Sequence, residues 1–276
     1  IQGRLLPKYN MRYQAHPVGY WHEEFPIASE LGLDCIEFIL DYNDFKENPL
    51  MTIKGRKKIK SLCLKTGIKV ISVCADYFME KPLHSKNKLT ARKSSKVLTE
   101  LLKIASELGI IDIVIPCVDK SSIKTERSRD RFMEVFHQVI PEAEKYKVNL
   151  SLETDLNPFQ FEKLLSSLNS YRVTVNYDIG NSASLGYNYI DELKAYGEKI
   201  TDIHIKDRKI NGPSVKLGEG NANIPEFFCE LSKYNYSGPL IMQAYRDNEG
   251  LKIFKEQFEW ITPFLPNIIK DKFYGN

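Results

Sequence analysis

Four polar side chains stand where apolar runs end. Glu153 closes Asn149-Leu-Ser-Leu-Glu153, and Asp178 closes Val173-Thr-Val-Asn-Tyr-Asp178. His204 falls in Thr201-Asp-Ile-His204-Ile-Lys206-Asp207, and Gln243 closes Leu240-Ile-Met-Gln243. Two carboxylates, an imidazole and an amide oxygen suit one divalent cation, Mn²⁺ first, with Mg²⁺, Co²⁺ or Zn²⁺ as alternatives. Taken singly, each residue has a plainer explanation. A carboxylate at a strand end commonly caps the next helix, and a histidine in an apolar strand is commonly a satisfied core group. The coincidence on four consecutive runs carries the argument.

A second group of residues suits an anion. Lys206, Arg208, Lys209 and Lys216 surround Gly212, Gly218 and Gly220, and a helix opens near Asn223-Ile-Pro225. Backbone N–H groups at Gly218 and Gly220, with a helix N-terminus behind them, suit a phosphate, and Arg246 and Lys206 add charge. A solvated surface loop is the plainer alternative. Arg4, Trp21 and Tyr77 are candidate pocket walls. Glu37 and Asp41, at the end of an earlier apolar run, either touch substrate hydroxyls or cap the helix that follows.

The elements that must position these residues alternate along the whole chain. Strand-like runs are expected at Ile1–Leu5 (cut short), Cys35–Leu40, Lys69–Ala75, Asp112–Val118, Asn149–Glu153, Arg172–Asp178, Ile200–Lys206 and Leu240–Ala244. Helical patterns lie between them, near Trp21–Leu31, Thr52–Thr66, Ser94–Leu108, Ser128–Tyr146, Pro158–Leu168, Tyr189–Tyr196, Ile224–Tyr234 and Leu251–Pro263. Gly32, Gly67 and Gly109 mark helix stops. Eight strand–helix units predict an α/β fold, a (β/α)₈ TIM barrel in a single domain spanning 1–276. No GxGxxG fingerprint follows the first run, which argues against an open dinucleotide-binding sheet. Two long loops, from Asp76 to about Arg92 and from Asp207 to Asn223, are expected on the C-terminal face, where barrel active sites are built.

The 276 residues are 42% hydrophobic, enough for one large core. The formal net charge is only +3 and the basic residues are scattered, so no nucleic-acid partner is expected. No signal peptide or membrane-length apolar run is read, and the five cysteines, with no CxxC pair, are expected to be reduced thiols; together these predict a cytoplasmic protein with no membrane partner. The chain starts at Ile1 within what reads as a strand tail, as though native residues precede it.

The motifs together resemble the xylose-isomerase-like superfamily of barrels, in particular its sugar phosphate isomerase/epimerase branch. The matching segments are Gly3-Arg4-Leu5, Trp21 through Glu24-Phe25 and Leu31-Gly32 to Ile36-Glu37, Leu152-Glu153, Tyr177-Asp178-Ile179-Gly180-Asn181, His204-Ile205-Lys206-Asp207-Arg208 and Leu217-Gly218-Glu219-Gly220. The resemblance implies that Glu153, Asp178 and His204 are metal ligands, with Gln243 at the fourth ligand position. It implies a small-molecule sugar or sugar phosphate as partner, and a homo-oligomer is compatible with it. Two departures stand out. Epimerases that this chain resembles generally carry glutamate where Gln243 stands, and free-ketose 3-epimerases often carry histidine where Asn181 stands. The Asp178-Ile-Gly-Asn181 form is similar to the phosphorylated-pentulose epimerases and hexulose-phosphate isomerases.

The implied activity is isomerisation or epimerisation by proton abstraction next to a carbonyl, through a metal-stabilised enediolate, with Glu153 as catalytic base. In such epimerases a second metal-bound glutamate works on the opposite face, and the amide of Gln243 cannot. Three outcomes stay open. Glu153 alone gives aldose–ketose isomerisation; another acid such as Glu219, Asp207 or Glu249 serves the second face; or the chain is a catalytically silent, metal- and sugar-binding homologue. A sugar dehydratase and an abasic-site endonuclease are further alternatives, the latter disfavoured because only His204 stands at a strand end.

Overall fold

The computed structural model describes residues 1–3, 5–246 and 250–265. Nine strands occur among them: β1 (Cys35–Ile39), β2 (Lys69–Cys74), β3 (Asp112–Cys117), β4 (Asn149–Thr154), β5 (Val173–Asp178), β6 (Ile200–Ile205), β7 (Asp207–Arg208), β8 (Ser214–Val215) and β9 (Leu240–Met242). Seven of them pair in parallel in the order β1-β2-β3-β4-β5-β6-β9, and β7 and β8 form a small antiparallel hairpin on the way out of β6.

The eighth stave is short. The Glu37 amide donates to the Ile1 carbonyl at 2.8 Å, and the Gln2 amide donates to the Met242 carbonyl at 3.3 Å. Ile1 and Gln2 therefore bridge β1 and β9 and close the barrel, a TIM barrel as expected. The run expected through Leu5 is not a regular strand, because Gly3 turns the chain with φ of +56°. A Cβ at Gly3 would also meet the Tyr13 carbonyl at 2.8 Å, so this turn requires glycine.

Ten helices surround the staves in the described residues: α1 (Glu24–Glu30), α2 (Ile53–Thr66), α3 (Tyr77–Glu80), α4 (Lys88–Leu108), α5 (Glu126–Tyr146), α6 (Pro158–Leu168), α7 (Ile179–Leu185), α8 (Tyr189–Tyr196), α9 (Ile224–Leu231) and α10 (Leu251–Ile261). Gly67 and Gly109 end α2 and α4 in the left-handed conformation, each with φ of 76°. The long loop expected after β2 is mostly helical: α3 follows the strand, and α4 starts early because the Asn87 side chain accepts from the Leu89 and Thr90 amides. No helix among the described residues is long and apolar enough to cross a membrane.

The two faces of the staves differ in chemistry. Ile36, Phe38, Val73, Ile113, Ile115, Leu150, Leu152, Ile203 and Ile205 are buried in the main apolar cluster with the helices, where Phe132 and Phe136 stack at 4.1 Å. The barrel interior is polar instead. Thr201 on β6 donates to Asp112 on β3 at 2.7 Å, a bond between staves that are not neighbours and so one that crosses the lumen. Asn149, Thr174 and Ser151 join it, and the branched aliphatic layers usual in such barrels are replaced by hydrogen-bonded groups. The apolar stabilisation therefore comes from the outer layer. Phe136→Ala is expected to lower the unfolding free energy by about 3–5 kcal/mol in a urea titration; an unchanged midpoint would place the core elsewhere.

Candidate active site and metal centre

Parallel pairing sets the site. Asp178 lies opposite His204 in the β5–β6 register, His204 opposite Ile241 in the β6–β9 register, and the Gln243 amide donates to the Ile205 carbonyl at 2.9 Å. Glu153 leaves β4 beside them. The four side chains that the sequence singled out thus converge at the C-terminal mouth, around the floor of a cavity of about 960 Å³. Glu153, Asn181, Lys206, Arg208, Gln243 and Arg246 line that cavity, while Asp178 and His204 sit just behind its wall.

Asp178 does two jobs. Its Oδ1 accepts from the Asn181 amide at 2.8 Å and caps α7, and its Oδ2 accepts from Lys206 Nζ at 2.7 Å. Lys206 Nζ also donates to Gln243 Oε1 at 3.3 Å. Two of the expected ligand oxygens therefore face an internal ammonium. Burial alone would raise the Asp178 carboxyl, but Lys206, His204 and the hydrogen bonds outweigh it and hold the group below the usual carboxylate range.

Glu153 behaves oppositely. Asn181 Nδ2 donates to its Oε1 at 2.6 Å, and Arg208 Nη1 donates to the Asn181 Oδ1 at 2.9 Å, so Asn181 orients the carboxylate and is itself held. Burial, with Asp178 adding repulsion, pushes Glu153 up to about 7 against the pull of His204 and Lys206. A carboxyl tuned to that range both takes and gives a proton at neutral pH.

His204 is fully buried and reaches in two directions. Its Nδ1 faces the Asn176 and Gln243 amide groups at 3.1 and 2.9 Å and lies 4.0 Å from Asp178 Oδ2. Its Nε2 lies 2.9 Å from Glu37 Oε1. Burial opposes charge on the ring, but Glu37, Glu153 and Asp178 outweigh it and raise the pKa of His204. The Glu37 carboxylate beside Nε2 leaves Nδ1 on the side of Asn176, Gln243 and Asp178 and sets the orientation of the ring.

Glu37 therefore sits beneath the imidazole, away from the cavity, and the expectation that it touches substrate is corrected. It stands mid-strand in β1, one layer deeper than the mouth, where Gln2 Nε2 and Ser72 Oγ donate to it at 2.9 and 2.8 Å. Beside it lies Asp202, fully buried, with neither carboxylate oxygen hydrogen-bonded. Burial, then Glu37 and Asp112, push Asp202 far above the usual carboxylate range, so it is held neutral. Among the described residues, potential ligand atoms of Glu37, Asp202 and His204 lie within 4.8 Å of one another, a compact buried group that could hold a metal ion one layer below the mouth.

The expected phosphate loop is organised differently. The Gly218 and Gly220 amides both donate to Asp207 Oδ2 at 2.9 Å, and the Ala222 amide donates to Oδ1 at 3.0 Å. These N–H groups are occupied by a fully buried side chain, so neither Gly218 nor Gly220 is available to an external anion, and neither lines the cavity. Asp207 is equally unavailable as an acid for the second face. Arg208 is tied to the Gly212 carbonyl, while Arg246 donates to the Leu6 carbonyl and packs 4.4 Å above the Tyr13 ring. Arg4 and Glu249 lie outside the described residues. Residues missed in the sequence also line the cavity: Arg12 and Asp76. Asp76 had the same signal as the others, a polar residue closing an apolar run; Arg12 sits in irregular chain and had none.

The fold and this mouth match a known family. Residues 25–264 match the xylose isomerase-like TIM barrel family, to which the chain belongs. Among curated relatives, L-ribulose-5-phosphate 3-epimerase UlaE of Salmonella heidelberg is 25% identical over 260 residues, covering 90% of this chain and 91% of UlaE. Among solved structures, the 3-keto-D-glucoside 4-epimerase YcjR of E. coli superimposes with a TM-score of 0.72 at 17% identity, covering 88% of this chain and 94% of YcjR. The D-psicose 3-epimerase of Clostridium cellulolyticum H10 gives 0.70 at 17% identity, covering 88% and 92%.

Replacing Asp207 with alanine leaves three loop amides without their acceptor. The expected loss is on the order of 3 kcal/mol in unfolding free energy, with faster proteolysis between residues 207 and 223. Wild-type protease resistance in that variant would show that the carboxylate does not organise the loop.

Proposed function

We propose that the chain is a divalent-metal-dependent isomerase/epimerase of a sugar or sugar phosphate. The observation that carries this reading is Glu153 and Gln243 lining one cavity with Asp178 and His204 packed behind them, and Glu153 pushed up to about 7. The name of the UlaE relative supports the substrate class. Arg12, Lys206, Arg208 and Arg246 around the cavity favour an anionic sugar.

Glu153, Asp178 and the Nδ1 of His204 would hold the metal with the Gln243 oxygen, and Mn²⁺ suits this mix of oxygen and nitrogen donors. When bound, the ion supplies Lewis-acid polarisation of the sugar carbonyl and its neighbouring hydroxyl. The protein groups do the rest. Glu153 removes the proton from the carbon beside the carbonyl, Asn181 keeps its carboxylate aimed, and Glu37 keeps the imidazole turned. With a metal on Asp178 and Gln243, the Lys206 ammonium that now contacts both would be released to contact the substrate's oxygens.

A second reading has one observation behind it. Gln243 cannot transfer protons, and the Lys206 ammonium already joins it to Asp178, which suits a protein that binds sugar without turnover.

Solvent-exchange NMR in D₂O separates the two. Wild type with Mn²⁺ is expected to wash deuterium into the carbon next to the carbonyl of L-ribulose 5-phosphate, and Glu153→Gln to slow this by about 100-fold or more. Binding without exchange would establish the silent homologue. Chelation should abolish exchange and Mn²⁺ restore it; activity indifferent to chelator would retire the metal.

The pH dependence has a definite sign. Glu153 must be ionised to act as base, so the exchange rate is expected to rise with pH through its titration. A bound divalent ion favours the carboxylate, so that limb lies below 7 in the loaded enzyme and moves toward 7 as metal occupancy falls. A rate that is flat from pH 5 to about 8 would count against Glu153 as the base.

A further inference from the structure

Epimerisation needs proton transfer on both faces of one carbon, and Gln243 leaves one face without a partner. Among the described residues, the acids that line the cavity are few: Asp41, Asp76, Glu80, Asp119 and Glu153. Asp41 is fully engaged, with Oδ1 3.3 Å from Arg12 Nη2 and Oδ2 accepting from the His16 amide at 2.9 Å. Glu80 pairs with Lys120 at 2.8 Å on the exposed rim. Asp119 is exposed on the rim as well.

Asp76 differs from all of these. It follows β2, two staves from Glu153 on β4 and across the mouth from His204 on β6 and Lys206 just after it. Its Oδ1 accepts only the weak donor Cys74 Sγ at 3.2 Å, and no ammonium or guanidinium among the described residues lies within ion-pair distance. The carboxyl thus reaches the cavity with hydrogen-bonding capacity to spare. Resting on the reading of the mouth as an isomerase/epimerase site, we infer that Asp76 is the proton-transfer group for the face opposite Glu153.

The step balances without a co-reactant. Glu153 takes the proton, and the C–H electron pair moves to form the C=C of the enediolate as the carbonyl pair moves onto oxygen. The carbonyl then reforms as that carbon takes a proton from the Asp76 carboxyl on its other face. Solvent reprotonates Asp76 and accepts the proton from Glu153, and the roles exchange in the reverse direction. Burial, then the charge of Asp41, pushes Asp76 up to about 6, with Glu37 adding to the rise and Cys74 and Arg12 opposing it, so both protonation states are accessible near neutrality.

The experiment is NMR of L-ribulose 5-phosphate in D₂O with the Mn²⁺-loaded full chain, comparing wild type with Asp76→Asn and Asp76→Glu. Wild type is expected to incorporate deuterium and invert the carbon. Asp76→Asn should keep incorporating deuterium through Glu153 but with retained configuration, inversion falling about 100-fold or more. Asp76→Glu, which restores a carboxyl, should recover part of the inversion, and melting curves check that both variants are folded. Inversion at the wild-type rate in Asp76→Asn overturns the inference, as does equal loss of exchange and inversion in that folded variant. No exchange by wild type overturns the isomerase/epimerase reading and this inference with it.

Discussion

The imidazole of His204 is the point on which the barrel's polar interior turns. It is fully buried, with Glu37 Oε1 2.9 Å below one nitrogen and the amides of Asn176 and Gln243 above the other. A buried charge is tolerated only when it is paired and hydrogen-bonded. Here five ionisable groups, Glu37, Glu153, Asp178, Asp202 and Asp112, share the lumen with one imidazole and one ammonium. The interior resolves the excess of negative charge by pairing. Asp178 keeps its charge against Lys206 and Glu37 keeps its own against His204, while burial pushes Glu153 up to about 7 and Asp112 up to about 6 and holds Asp202 neutral. Because Glu37 fixes which nitrogen faces the mouth, removing it would loosen the one nitrogen donor of the candidate centre.

The same economy appears at strand ends, where capping and chemistry are alternatives only in a sequence. Asp178 caps α7 with one oxygen and faces Lys206 with the other. Asp207 shows the opposite outcome: both of its oxygens gather loop amides, and nothing remains for a ligand. A glycine-rich, basic loop after β6 looks like an anion site when its residues are counted. It is a self-contained turn once an internal carboxylate occupies its N–H groups, so the positive groups that face the cavity are side chains on several elements.

Gln243 therefore contributes more than a candidate ligand atom. An amide can accept from Lys206 and donate towards His204 at once, which a carboxylate cannot. Gln243 thereby couples the imidazole to the ammonium while offering no proton-transfer group on that stave. The wall formed by the first three staves then carries, with Asp41, Asp76, Glu80 and Asp119, the other acids of the cavity among the described residues.

By itself the sequence determined the alternation and the convergence. The runs that became β1 to β6 and β9 were legible from apolar periodicity, and α6 and α8 span the expected residues, their starts set by the Asn157 and Asn188 caps. Glu153, Asp178, His204 and Gln243 could be placed together because consecutive parallel strands are neighbours and each side chain lies at its strand's end. Tertiary structure alone decided depth and partners. Glu37 lies under the imidazole rather than in the pocket, Gly218 and Gly220 turn inward to Asp207, and Asp76 emerges into the cavity. These outcomes depend on which layer of the lumen a side chain reaches and which distant group meets it there, and no local pattern of residues encodes contacts between staves that the chain visits dozens of residues apart.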